Sequence, residues 1–356
     1  MSKSMPSDDR LRNRLPEFRK ARGWSQADLA ARAGISRAAV SAIEINRLVP
    51  SVAAALSLAN VFECSVEELF ASSPPRKQEP TWAWLPVQEP CRFWQVRIGE
   101  RTLRYPCESI PLGVIPHDGV WDSNSVARAS ETAPQDSLLV ACCDPAASLL
   151  ARKYNRLSPF RLLVLSRSSG KALELLKNRL VHVAGIHLSG DGVHDRNEKV
   201  VRQTIGPGAQ ILRVATWEEG LAVAPHIASK SVQGVIKSRL TWIGREAGSG
   251  ARLCLDELMG EKNPPRRVAY DHRSVAESIR AGWGDVGVCH RLPCEEAGLR
   301  FLPVRSEAYD LCFRGEDASD PRIEALIRVV QSASYRRILA ELPGFSCRET
   351  GTITSV

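Results

Sequence analysis

The chain has 356 residues, 44% of them hydrophobic, and its 48 Lys and Arg against 40 Asp and Glu leave a net charge of +8. That length allows two domains, or at most three, and excludes a chain too small to bury its own core. The polar, charged N-terminus argues against a signal peptide and no apolar run approaches a membrane span. Ten cysteines without a CxxC pair or disulfide-like spacing read as free thiols of a reducing compartment, so a cytoplasmic protein with no membrane partner is expected.

The first predicted element is a helix from about Leu11 to Arg22. It gives Leu15 and Phe18 to a core and Arg12, Arg14, Arg19, Lys20 and Arg22 to a surface. Ser25 is suited to cap the next helix, where Leu29, Ala30 and Ala33 recur at helical spacing until Gly34, a residue that takes a left-handed conformation at little cost. Ile35 plugs the turn, Ser36 caps a third helix, and Val40 and Ile43 form its inner stripe. Its outer face presents Ser36, Arg37, Ala38, Ser41 and Glu44, short or polar groups that suit base edges, with Asn46 and Arg47 just beyond, where phosphates lie. A helix from Val52 to Phe62 and a short one ending at SVEELF complete five helices. The first fifty residues hold ten Lys and Arg against five Asp and Glu, an excess of +5 out of +8, which is an electrostatic footprint for phosphate.

The pattern W-S-Q-x-x-L-A, G-I-S, S-x-I-E, P-S and V-x-E-L-F over residues 10–71 resembles the XRE/Cro family of helix-turn-helix regulators. The resemblance implies that Gln26 touches the DNA backbone and that Arg37, Ala38 and Ser41 face bases. The alanine suits a thymine methyl. The domain is expected over residues 8–71.

A polar, Pro-rich linker is predicted over 72–81, then an irregular β-containing segment over 82–136 docked on the second domain, with strands at FWQVRI and TLRY. From Ser137 strands alternate with helices. SLLVACCD, RLLVLS, VHVAGIHL, ILRVATW, LAVAP, TWIGRE, VAYD, DVGVCHR and FLPVRSEAYDLCF read as strands, and two helices close the chain. Ligands on such sheets bind beyond the carboxyl ends of strands. Those ends offer Cys142, Cys143 and Asp144; Ser166, Ser168, Ser169 and Gly170; Arg245, Glu246, Gly248, Ser249 and Gly250; and Trp283, Gly284 and Asp285. Two Ser/Gly turns at helix starts, facing across a cleft, suit an anion, and Arg245 adds a forked donor.

The motifs VACCDPAASLLA, RSSGKALELL, LVHVAGIHL, W-E-E-G-L-A, IGREAGSGARLCLDEL, AGWGDVGVC and EAYDLCF are similar to the type II periplasmic-binding-protein-like domain of molybdate-binding type found fused to helix-turn-helix regulators. This implies a two-lobed α/β clamp over residues 137–350 after an all-α head. Its ligand residues carry over to Ser166, Ser168, Ser169, Arg245, Ser249 and Gly250, with Asp144, Asp285 and Tyr309 nearby. An acid in the cleft opposes a dianion and suits an amine or the ordering of the lobes.

Weaker constellations are Cys289, His290 and Cys294 as metal ligands, whose spacing does not fit zinc, and His182, His187 and His194 with Asp195, of which His187 reads as a core residue. His117 reads as part of a turn. Cys142 and Cys143 suit oxidant sensing if Arg167 or Arg245 lies near. No Ser/His/Asp set, P-loop or paired-acid motif stands out, so neither catalysis nor a metal or cofactor is expected. The reading is a ligand-responsive transcriptional regulator. It binds operator DNA as a homodimer or higher homo-oligomer, and its effector is a molybdate- or tungstate-type oxyanion. The alternatives are a small organic metabolite as effector, or a thiol-based redox sensor.

Overall fold

A computed structural model describes residues 13–70, 80–108, 116–122, 125–128, 132–188, 195–260 and 265–356. Arg12, most of the 72–81 linker and His194 lie outside the described residues. The chain divides into two compact units, Met1–Glu79 and Pro80–Val356.

The first unit holds α1 (Leu15–Ala21), α2 (Gln26–Ala33), α3 (Arg37–Glu44), α4 (Val52–Phe62) and α5 (Val66–Phe70). Ser25 accepts from the Asp28 amide while the Asp28 carboxylate takes the Ser25 amide, a reciprocal cap that starts α2. Gly34, at φ 65°, ends it, and Ser36 accepts from the Ala39 amide to start α3 at once. Leu15, Leu29, Val40 and Leu58, all fully buried, meet at the centre. Arg19 was expected at the surface and Glu44 on the base-reading face. Instead Arg19 Nε bonds Glu44 Oε1 at 2.6 Å, with side chains only 14% and 6% exposed. Gln26 Nε2 adds a bond to Glu44 Oε2 at 2.8 Å. The three side chains tie α1, α2 and α3 together and set the pitch of α3.

The second unit begins with a five-stranded sheet: β1 (Thr81–Trp82), β2 (Cys91–Ile98), β3 (Arg101–Pro106), β4 (Gly119–Asp122) and β5 (Ser125–Arg128), in the order β1-β3-β2-β4-β5. It is regular rather than irregular. Trp94, Val96, Leu103 and Tyr105 share a core with Leu139, Ala141, Leu163 and Leu173 of the larger sheet's layer. Arg161 binds both oxygens of Asp118 at 2.7 Å and so fastens the two sheets.

The larger sheet comprises β6 (Ser137–Cys142), β7 (Arg161–Ser166), β8 (Val183–Ile186), β9 (Gln210–Val223), β10 (Trp242–Arg245), β11 (Arg267–Ala269), β12 (Val286–His290), β13 (Arg300–Phe313), β14 (Phe345–Ser346) and β15 (Ile353–Ser355). Its order is β7-β6-β8-β13-β9-β12-β10-β11, with β14 and β15 also on β9. The helices are α6 (Ala147–Leu157), α7 (Ser169–Lys177), α8 (Asp195–Thr204), α9 (Val232–Lys237), α10 (Gly250–Met259), α11 (His272–Arg280), α12 (Arg291–Glu296), α13 (Pro321–Gln331) and α14 (Ala333–Ala340). Strand periodicity divides the cores. Leu138, Val140 and Cys142 pack with α6, α13 and α14, whereas Leu139 and Ala141 face α7. In the second lobe Ala222 and Ile243 face α11, and Leu221 and Val223 face α9 and α10.

ILRVATW and LAVAP, expected as two strands, are one strand of 14 residues, β9, antiparallel to the equally long β13. Near one end β13 pairs with β8, and near the other β9 pairs with β12. Two continuous strands therefore pass from one lobe to the other, with a register shift between Tyr309 and Asp310. We expect Glu44→Ala to lower the unfolding free energy of the helical unit by about 2 kcal/mol, because it strands a half-buried guanidinium. Arg37→Ala, at an exposed site, should change it by less than about 0.5 kcal/mol. Urea unfolding of the full chain measures both.

Candidate functional site

The helical unit presents one face. Val40 and Ile43 are buried inward on α3, and Ser36, Arg37 and Ala38 stand exposed, with Ser41 half-buried and Asn46 and Arg47 exposed past the helix. This places six of the seven expected DNA-facing residues outward. The seventh, Gln26, has its amide on Glu44. Glu44 itself is taken out of the base-reading set by Arg19. Beside this face Ile45, Leu48, Val49, Val52 and Leu56 are exposed large apolar residues, between 47% and 78% accessible.

In the second unit the carboxyl ends of β6, β7, β10 and β12 converge. The turn entering α7 meets the turn entering α10, and the Gly170 amide donates to the Gly248 carbonyl at 3.2 Å. A side chain at Gly250 has no room, since its Cβ would lie 2.2 Å from the His187 carbonyl oxygen. The two Ser/Gly turns predicted to face each other do so, and Ser168, Ser169, Arg245, Ser249 and Asp144 are all buried there. Ser166 is exposed and lines the mouth, a cavity of about 700 Å³ that also touches Cys142, Cys143, Asp144, Asp271 and His272.

Not every predicted residue has atoms free for a ligand. Ser249 Oγ accepts from the Arg252 amide and donates to the Glu246 carbonyl, so it is a helix cap. Ser169 Oγ accepts from the His187 amide at 3.1 Å. Asp285 is corrected outright. It stands at the amino end of β12, bonded to His226 and to the Thr241 amide, at the opposite end of that strand from His290. Arg167 is held by Glu108 and lies over Trp84, so Arg245 is the cation beside Cys143. The Cys289, His290, Cys294 set does not form: Cys289 and Cys294 turn to backbone carbonyls and His290 Nδ1 accepts from the Leu292 amide. His182 sits at the start of β8 and His187 at its end, so these two do not cluster.

Among the described residues Ser168 Oγ, Arg245 Nη1 and Asp144 Oδ2 find no hydrogen-bond partner, and neither do Trp217 Nε1, Glu219 Oε1, His290 Nε2 and Glu307 Oε1. Such groups are costly to bury unless something meets them. Asp144 Oδ1 accepts from the Ala146 amide, but burial pushes its carboxyl up to about 7. Burial likewise drives the Cys142 thiol up to about 12.

A buried aromatic and acidic cluster next to His187 was not anticipated. Trp217 stacks on Tyr309 with centroids 4.5 Å apart and planes 6° from parallel, ringed by His187, His272 and His290. Beneath lie Glu219 and Glu307, one from each long strand. Arg305 meets Glu219 at 3.1 Å and Glu307 at 2.5 Å. Burial raises Glu307 to about 7 against the pull of Arg305, and burial with its neighbour Glu307 raises Glu219 to about 8. The signal was present in W-E-E-G and V-R-S-E-A, where charged residues interrupt otherwise apolar strands.

A helix-turn-helix family model matches residues 17–69 and a PBP superfamily domain model matches residues 151–331, half of the chain. The chain belongs to the PBP superfamily. Ahead of this PBP superfamily domain, its helix-turn-helix unit is 35% identical over 60 residues to an uncharacterized HTH-type transcriptional regulator of Archaeoglobus fulgidus, covering 17% of this chain and 86% of that one. The uncharacterized protein YvgK of Bacillus subtilis is 28% identical over 182 residues, 48% of this chain and 58% of that protein, so the chain spans less than two thirds of that relative. A tungstate ABC transporter structure from Geobacter sulfurreducens aligns with a TM-score of 0.44 at 14% identity, covering 58% of this chain and 99% of that one. Among the described residues no helix is long and apolar enough to cross a membrane.

The raised carboxyls fix a pH dependence. Asp144, Glu219 and Glu307 ionise later in the folded chain than in the unfolded one. The stability they contribute is therefore full below about pH 4 and lost as pH rises through about 7 to 8. The melting temperature of the chain is expected to fall over that window, and Asp144→Asn should flatten part of the fall in a thermal scan against pH.

Proposed function

We propose that this protein is a ligand-responsive DNA-binding regulator whose clamp binds a small anion, working in the cytoplasm on operator DNA. The observations that carry the proposal are two buried, unpaired atoms, Arg245 Nη1 at the end of β10 and Ser168 Oγ at the start of α7, in a domain where the turns entering α7 and α10 meet. Cation, hydroxyl and helix start together favour negative charge. A tetrahedral oxyanion of the molybdate or tungstate class is the first reading. With its carboxyl raised to about 7, Asp144 becomes a donor to the anion when protonated rather than a repelling charge. A small carboxylate-bearing metabolite is the second reading, favoured by a cavity of about 700 Å³. Ligand favours one state of the clamp over the other, and that difference in free energy is what DNA affinity reports.

On the DNA side, Arg37, Ala38, Ser36 and Ser41 read bases and Asn46 and Arg47 hold the backbone, while Gln26 has its amide on Glu44. One short helix reads few base pairs, so two copies are needed. The apolar patch of Ile45, Leu48, Val49, Val52 and Leu56 fits a second copy of this chain.

Titration calorimetry with molybdate, tungstate, sulfate and phosphate against small carboxylates tests the ligand. The expected result is binding of one class that weakens by about tenfold between pH 6 and pH 8 as Asp144 ionises; no binding of either class removes the anion reading. Arg37→Ala should weaken a duplex selected from random sequence by about tenfold or more while leaving ligand binding unchanged. Arg245→Gln should do the reverse. Equal loss of both activities in either variant would count against separate roles. Val52→Glu with Leu56→Glu should shift sedimentation towards monomer.

A further inference from the structure

Cys143 lies in the cleft wall with its Sγ 3.1 Å from His187 Nε2. On the far side of that ring, His187 Nδ1 meets Glu307 Oε2 at 2.6 Å, and Arg305 holds the other oxygen of Glu307. All three side chains are buried, yet Cys143 and His272 both line the cavity that opens past Ser166.

Hydrogen bonds assign the protons. Arg305 forms an ion pair with Glu307, which favours a carboxylate that accepts from His187 Nδ1–H. The His290 amide donates to His272 Nδ1 at 3.2 Å, so the His272 proton sits on Nε2 and points at His187 Nε2, 3.4 Å away. His187 Nε2 therefore carries a lone pair, and it faces the thiol. The sulfur, His187 and His272 ligand atoms lie within 4.8 Å of one another, a spacing that fits a metal. The tautomer does not fit one, because the proton on His272 Nε2 occupies the position where the ion would bind.

We propose that Cys143, His187 and Glu307 act as nucleophile, base and positioning residue, adding the Cys143 thiol to the carbonyl carbon of a small electrophile that carries an anionic group. The thiol proton passes to His187 Nε2 as the S–C bond forms. The carbonyl π pair moves to oxygen, and that oxygen takes the proton from His187. Thiol and carbonyl combine into a hemithioacetal, with no oxidant and no leaving group. Arg245, with Nη1 unpaired, is the cation beside Cys143, and the anionic group of the electrophile rests on the anion reading above through Arg245. The cleft is then a reversible covalent trap as well as a clamp.

The wild-type full chain answers the question without relying on a variant's folding. It is treated at about pH 8 with limiting iodoacetate or iodoacetamide, and alkylation of all ten cysteines is followed by peptide mapping. Cys143 is expected to react at least about tenfold faster than the buried Cys142, Cys289 and Cys312, and faster with iodoacetate than with the neutral reagent. Glyoxylate, an aldehyde bearing a carboxylate, should protect Cys143, and acetate should not. His187→Gln should abolish the rate advantage. Glu307→Gln should move the rate–pH profile of Cys143, a profile that also feels Arg245, His272, Arg305 and Glu219, whereas a merely structural glutamate would leave it in place. Cys143 reacting as slowly as Cys142 overturns the proposal, as does protection by equimolar Zn²⁺ in the wild type that is lost in His272→Ala, since that identifies a metal site. Fast Cys143 without preference for iodoacetate supports the relay and sinks only the anion reading.

Discussion

Two carboxylates and one guanidinium share the place where β9 and β13 pass from lobe to lobe, and their desolvation is the constraint that organises the sensor. Glu219 and Glu307 are fully buried and Arg305 nearly so. A guanidinium in a low-dielectric interior persists only with partners, and Arg305 finds them on β9, β13 and α10, so the positions of these elements are tied to one another. Arg305 reaches Glu219 and Glu307 on the two strands, Glu257 on α10 and the carbonyl of Gly250. The start of α10 is thereby fixed to the crossing strands. His187 sits on the same cluster through Glu307, which fixes the ring that faces Cys143.

The helical unit obeys the same rule on a smaller scale. Arg19, Gln26 and Glu44 come from three helices and satisfy one another at a half-buried seam. The residues left to meet DNA are those the seam does not consume.

Much of this was legible from the chain. Caps and turns are local: Ser25, Gly34 and Ser36 act within a few residues of themselves, so the boundaries of α2 and α3 followed from composition. The buried strands β6, β7, β8, β10 and β12 were equally plain, and so were the Ser/Gly turns before α7 and α10. What could not be read were groups whose partners are far along the chain. Glu44 looked like an exposed helix residue because nothing local reveals Arg19, and Asp285 looked like a strand-end ligand because the end of β12 at which it stands is a property of the fold. Ser249 was chosen rightly for place and wrongly for free atoms. His187 was read only as a core residue, and Trp217, Glu219, Arg305 and Glu307 were passed over because they gather from two strands, with Arg305 and Glu219 86 residues apart.

The amide of Gly170 donates to the carbonyl of Gly248 and so ties the turn entering α7 to the turn entering α10. In the clamp proposed above, a ligand that reaches the space between these turns must first break this bond, so its admission would be limited by how often the bond opens rather than by how often solutes collide with it. The same fastening slows escape. A signal once received would outlast a brief dip in its supply, and the switch would report the recent average of its effector rather than the momentary level.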